Sequence, residues 1–205
     1  MIEVFNMPQG QPEWFFARKG LFTASNGDKL LMKGRGGGES ETRKKYLYQL
    51  AGEIITGEPT ESFSNMHTDR GHVHEPIART YYSLLHDVDP QIVGFIRNGR
   101  KGASPDGLIG NDGAIEIKSK QPNVLIPVLM ADEFPPEHKA QTQSVLWIAE
   151  REWIDLICFW PSMPLFVKRA YRDEEYIKSL SDALDKFNDE LDALVEKIKQ
   201  YGKAH

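Results

Sequence analysis

Apolar residues recur along this chain with two periods, and those periods divide it into helices and strands. From Glu41 to Thr56, Tyr46, Leu47, Leu50, Ile54 and Ile55 keep helical spacing, which predicts a helix burying that stripe. A longer stripe ends the chain: Ile177, Leu180, Leu184, Phe187, Leu191, Leu194 and Ile198 step by threes and fours, an amphipathic helix packed on its own domain or on a partner helix. Met66–His86 predicts another helix, with Pro76 in a first turn or at a kink because proline lacks the N–H that an interior position donates. Shorter helices are predicted before Gly20, from Gln11, and over Asn26–Met32 with Ser25 as N-cap. Pro136–Arg151 is a further helix, with His138, Gln141 and Val145 at helical spacing and Gln143 on a different face from Gln141.

Strands are predicted over Ile92–Ile96, Trp153–Trp160 and Leu165–Tyr171, and Arg97–Gly102 reads as a turn. Ala103–Lys120 reads as a β-hairpin about Asn111-Asp112-Gly113, residue types that tolerate the positive φ of a tight turn. Proline-rich Gln121–Pro136 reads as a loop able to close over a substrate. Gly34–Gly38 reads as a flexible loop without the Gly-Lys-Ser/Thr of a nucleotide phosphate loop. The element order gives an α/β fold, a mixed β-sheet flanked by helices, as one domain spanning residues 1–205.

Composition narrows the class. A chain of 205 residues can bury a core without staples. One cysteine, Cys158, excludes a disulfide framework or a four-cysteine cluster within the chain, and its apolar surroundings predict a buried thiol. No apolar run approaches a membrane span and no secretory leader is evident, so a cytoplasmic protein is expected. The net charge of −5 is uneven, since Arg172–His205 carries nine acids against six bases. Bases gather at Lys29, Lys33 and Arg35, at Arg43-Lys44-Lys45, and at Arg97, Arg100 and Lys101, so a local basic track is compatible with the negative total.

The hairpin holds the candidate chemistry. Side chains alternate along a strand, so Glu116 and Lys118 share one face while Ile115 and Ile117 take the other, and Asp106 on the first arm can lie beside them. A charged strand face is ordinarily just solvated. Two carboxylates and an ammonium gathered at one point are costly unless a divalent cation needs them. His72, His74 and Glu75 raise the alternative of zinc, but residues two apart on a helix diverge and the His-Glu-x-x-His spacing is absent. Ser25 and Arg18 read, from spacing, as a cap and a surface charge; the same pair is also how proteins grip phosphate.

Pro105-Asp106-Gly107 with Glu116-Ile117-Lys118 resembles the PD-(D/E)-x-K nuclease superfamily, which implies a restriction-endonuclease-like core. Three more blocks extend the match over about Trp14–Trp160: Trp14, Arg18, Gly20 and Thr23-Ala24-Ser25; Gly71, Glu75, Ala78-Arg79 and Tyr82; Ala140-Gln141, Gln143 and Trp147. With these the chain resembles the phage lambda exonuclease family, the nuclease half of viral two-component recombination systems. The resemblance implies that Asp106, Glu116 and the Ile117 carbonyl hold Mg²⁺, with Mn²⁺ as a substitute, and that Glu75 holds a second ion. It implies that Lys118 orients and activates the attacking water, that Gln141 assists, and that Arg18, Ser25 and Arg35 grip a terminal 5′-phosphate. Arg35 stands in the Gly34–Gly38 loop, where the chain departs from the family.

The family further implies a processive 5′-to-3′ exonuclease on linear double-stranded DNA, leaving 3′ single strands for recombination by annealing. It implies a ring-shaped homotrimer, a single-strand annealing protein as partner, and a phage or prophage protein in a bacterial cytoplasm. The alternatives are a structure-specific or restriction-type endonuclease of the same superfamily, and a non-catalytic DNA-binding module. At its ordinary pKa Lys118 is a cation and cannot serve as a base.

Overall fold

Eight strands form two four-stranded sheets in a computed structural model that describes every residue except 35, 37, 39, 61–65, 204 and 205, and no side chain of 66–69 or 72. The first sheet contains β1 (Ile2–Phe5), β2 (Phe22–Thr23), β3 (Phe95–Asn98) and β4 (Lys101–Ala103) in the order β1-β3-β4-β2, with β2 parallel to β4. The second contains β5 (Gly107–Ile109), β6 (Gly113–Ser119), β7 (Trp153–Phe159) and β8 (Phe166–Tyr171) in chain order, with β6 parallel to β7. Ser104-Pro105-Asp106 separates the sheets. Pro105 has no N–H to donate to a ladder, which ends β4 before the acid.

The helices are α1 (Pro12–Arg18), α2 (Gly27–Leu31), α3 (Glu41–Thr56), α4 (Met66–His86), α5 (Pro122–Ala131), α6 (Lys139–Ala149) and α7 (Glu174–Lys199). The main core gathers α3, α6 and α7 through Tyr46, Leu50, Leu146, Leu184 and Phe187 over the Ala114 face of the second sheet. On the opposite face α4 lays Ala78 and Tyr82 onto Ile115, Ile117, Ile157 and Phe159. A parallel pair covered on both sides reads as a nearly continuous apolar run, and β7 obeys this except at Asp155. That buried carboxylate is satisfied by the Tyr82 hydroxyl at 2.6 Å and by Arg169, which donates through Nε and a terminal nitrogen at 2.8 Å each. Cys158 is buried. Among the described residues no helix is long and apolar enough to cross a membrane.

Several expectations are corrected. Gln121–Pro136 holds a helix, α5: Pro122 occupies its first turn, where no N–H is needed, and Pro127 forfeits a single bond. The strand expected over Ile92–Ile96 runs instead over Phe95–Asn98, and β3 and β4 are joined by a tight turn with Gly99 at φ +62°. Ser25 does not cap α2. It lies in a 3-10 turn, Ala24–Asn26, so the helix begins one residue later than expected, with Asn26 as its N-cap. The left-handed residue of the central hairpin is Gly110, at φ +53°, just before the Asn-Asp-Gly triplet. On α3, Ile55 is 36% exposed and Ala51 and Glu53 are buried in its place, while on α7 Val195 is buried and Ile198 is exposed. The basic track is partly neutralised, because Arg43 pairs bidentately with Glu190 and Arg100 with Asp192, both on α7.

Candidate active site

Strand β6 supplies Glu116 and Lys118 from one face, as its alternation requires, and their side chains meet at 2.8 Å between Lys118 Nζ and Glu116 Oε1. Gln141, in the first turn of α6, joins them: its amide donates to Glu116 Oε1 at 2.6 Å and its oxygen accepts from Lys118 Nζ at 2.9 Å. Gln143 turns the other way, donating to the Tyr171 carbonyl and accepting from the Asp173 N–H. Helical geometry therefore assigns one glutamine to the site and one to the fold.

Asp106 enters from the adjoining arm. Its N–H donates to the Ile115 carbonyl and its Oδ2 accepts from the Ile117 N–H at 2.5 Å. The N–H and C=O of a strand residue point the same way, so the Ile117 carbonyl faces the edge where Asp106 stands. From α4, Arg79 donates through Nε to the Asp106 carbonyl at 3.1 Å and forms an ion pair with Glu75 one turn earlier. Glu75 thus stands near Asp106 but is engaged by Arg79.

Burial, and then the negative charges of Glu116 and Glu75, push the Asp106 carboxyl well above the usual carboxylate range. Burial alone would lower the Lys118 ammonium, but Glu116, Asp106 and Cys158 outweigh it and hold the group above its ordinary value. Lys118 stays a cation. Glu116 is 4% exposed, and its Oε2 has no hydrogen-bond partner among the described residues.

Arg18 and Ser25 line the same cavity, of about 180 Å³, as these acids. Gln141, Ser104, Trp14 and Gln9 complete most of its wall. Arg18, at the end of α1, lies 3.9 Å above the Trp14 ring and reaches Ser104 Oγ at 3.5 Å. Trp14 Nε1 donates to the Gly94 carbonyl and to Ser104 Oγ, which ties α1 to the strand before Asp106. Burial lowers the Arg18 guanidinium to about 10, opposed by Tyr46 and Glu53. Ser25 Oγ has Thr23 Oγ1 as a neighbour at 3.5 Å.

The structure thus gathers Asp106, Glu116, Gln141, Arg18 and Ser25 around one space, with Lys118 held on Glu116 and Gln141 and with Glu75 near enough for its charge to act on Asp106. Arg35 lies outside the described residues. Of the residues of the zinc alternative, His74 turns to Ser119 Oγ at 2.7 Å, Glu75 pairs with Arg79, and the His72 side chain lies outside the description. Among the described residues no three His, Cys, Asp or Glu side chains already converge on one metal position. Ser104 and Arg79 stand within the blocks that carry the family resemblance but had no role assigned to them, and Gln9 joins the site without any signal in the sequence.

Residues 13–152 match the family described as the YqaJ-like viral recombinase domain. Two solved structures of LHK-Exo are similar to this chain. One, in complex with dAMP, shares 30% identity at TM-score 0.84, covering 93% of this chain and 97% of that one. The other, an alkaline exonuclease from Laribacter hongkongensis, shares 29% identity at TM-score 0.83 over the same proportions. A phage-related exonuclease from Haemophilus somnus 129PT shares the fold at 14% identity and TM-score 0.66, covering 87% of this chain and 96% of that one. No curated protein matches the chain. With three of the four sequence blocks lining one cavity and the fourth bonded to Asp106 through Arg79, the chain belongs to the YqaJ-like viral recombinase family, a nuclease of the lambda exonuclease type.

Proposed function

We propose that this nuclease is a metal-dependent, processive 5′-to-3′ exonuclease of linear double-stranded DNA, leaving 3′ single strands. One observation carries the reading: Asp106 and Glu116, the latter paired with Lys118, line the same cavity as Arg18 and Ser25. A strand end held by its phosphate at Arg18 would lie beside the acids. The dAMP complex of the similar LHK-Exo supports a nucleotide as the ligand.

The donor set fits a hard divalent cation. Asp106, Glu116 and the Ile117 carbonyl offer only oxygen, as Mg²⁺ prefers and Mn²⁺ accepts, and Glu75 would serve a second ion. The partnerless Glu116 Oε2 and the raised Asp106 carboxyl are the marks of acids arranged for a positive charge. Bound there, divalent ions stabilise charge on the phosphate oxygens and make water acidic enough to attack near neutral pH.

The chain's own groups do the rest. Lys118 keeps its proton, so it stabilises the attacking oxygen by charge and does not act as a base. Gln141 fixes Glu116 and Lys118 relative to each other. Arg18, Ser25 and Ser104 hold the terminal phosphate by charge-assisted hydrogen bonds. The protein acts as a ring-shaped homotrimer in a bacterial cytoplasm, beside a single-strand annealing protein.

The test uses linear duplexes labelled at 5′ or 3′ ends, and covalently closed circular duplexes beside them. Mononucleotide release from 5′ ends of the linear substrate alone is expected, and EDTA should stop it. Cleavage of the closed circle would instead indicate an endonuclease of the same superfamily.

A further inference from the structure

We infer that Glu53, buried on α3 behind Arg18, is a positioning residue that sets Arg18 for the terminal phosphate; this rests on the reading of Arg18 given above. Glu53 is 6% exposed and touches neither the acids nor the cavity they line. It faces a second cavity of about 170 Å³, whose wall Arg18 shares with Tyr46 and Gln49. Arg18 therefore stands between two spaces, with Glu53 on one side and Asp106 and Glu116 on the other.

The carboxylate is fully engaged. Oε2 accepts from the Gly20 N–H at 2.7 Å, and Oε1 accepts from Gln49 Nε2 at 2.9 Å and the Thr60 N–H at 3.3 Å. Gly20 is two residues beyond Arg18, at φ +68°, and a side chain there would meet Ile54 at 2.7 Å. Lys19 Nζ donates to the Gly57 carbonyl at 2.7 Å. The turn carrying Arg18 is thus docked on α3 through Glu53 and its neighbours.

Charge supplies the second part. Among the described residues Arg18 has a long bond to Ser104 and the faces of Trp14 and, farther off, Phe95, and a buried cation with so few acceptors depends on nearby carboxylates. Glu53 opposes the loss of its proton, together with Tyr46 from the same helix. A bound phosphate would then replace solvent at a guanidinium whose position and charge are already set.

The experiment measures rates at limiting ends on 5′-phosphorylated and 5′-hydroxyl duplexes for wild type, Arg18→Ala, Glu53→Gln and the double variant. Glu53→Gln should lower the phosphate-to-hydroxyl ratio about tenfold, the scale of one charge-assisted hydrogen bond, by raising KM for phosphorylated ends more than lowering kcat. On the Arg18→Ala background it should leave the ratio unchanged. Gln49→Ala, which only loosens Glu53, should lower the ratio by a smaller factor and decides the matter if Glu53→Gln does not fold. A wild-type ratio in the folded variants, or an undiminished effect without Arg18, overturns the role of Glu53 while the phosphate site stands. A wild-type ratio near one, or one unchanged by Arg18→Ala, removes the phosphate site and this inference with it.

Discussion

Lys118 Nζ meets Glu116 Oε1 at 2.8 Å, and that oxygen also accepts from Gln141, while the other carboxylate oxygen of Glu116 is buried without a partner. One oxygen is oversupplied, and the other has no hydrogen-bond partner among the described residues and is the atom proposed to take a cation. Glu116→Gln removes the charge but keeps the shape, so hydrolysis of linear duplex should fall by roughly three orders of magnitude or more. DNA binding, followed by gel shift in Ca²⁺, should survive. Retained turnover would displace Glu116 from the site.

Asp106 gives a pH dependence. Its folded carboxyl lies well above the usual carboxylate range, so the stability it contributes is present at low pH and is lost as pH rises from about 4 through that higher value. Divalent cations need the ionised form and compete with the proton. The rise in Tm on adding Mg²⁺ should therefore grow with pH across this window, and Asp106→Asn should abolish the growth. A pH-independent shift in the wild type would contradict the assignment.

Gln141→Ala should reduce activity about 10- to 100-fold, the usual cost of removing a group that orients a metal ligand. The loss should appear in kcat and in the Mg²⁺ requirement rather than in DNA affinity. Steady-state kinetics at several Mg²⁺ concentrations check both.

Stability of the α4 face depends on Tyr82, whose hydroxyl donates at 2.6 Å to buried Asp155. Tyr82→Phe deletes a bond to a charged acceptor while Arg169 remains, and should cost about 2 kcal/mol in urea unfolding at neutral pH. Since α4 also carries Glu75 and Arg79, a fall in activity beyond the loss of folded protein would mean that Tyr82 helps to place them.

Much of the fold was legible because local rules dominate it. The bounds of α3 and α4 follow from helical spacing, and the partition of Glu116 and Lys118 from Ile115 and Ile117 follows from strand alternation. Helix α5 was not legible, because prolines that end most helices are harmless in a first turn, and a single lost bond is tolerated when Leu125 is buried. The short strands β1 and β2 were missed for a related reason. Four and two residues carry too little periodicity, and only pairing with β3 and β4 makes them strands.

By itself the sequence determined which groups are chemically able to act: two acids and a lysine about one hairpin, and an arginine and a serine in a distant block. Only the tertiary structure decided that the two acids share a cavity with the arginine and the serine, the lysine being held on Glu116, because contacts between segments so far apart are set by how the sheets and helices pack. It also decided their charges. Lys118 stays protonated and Asp106 resists ionisation because each is buried among the others, and a pKa belongs to a neighbourhood rather than to a residue.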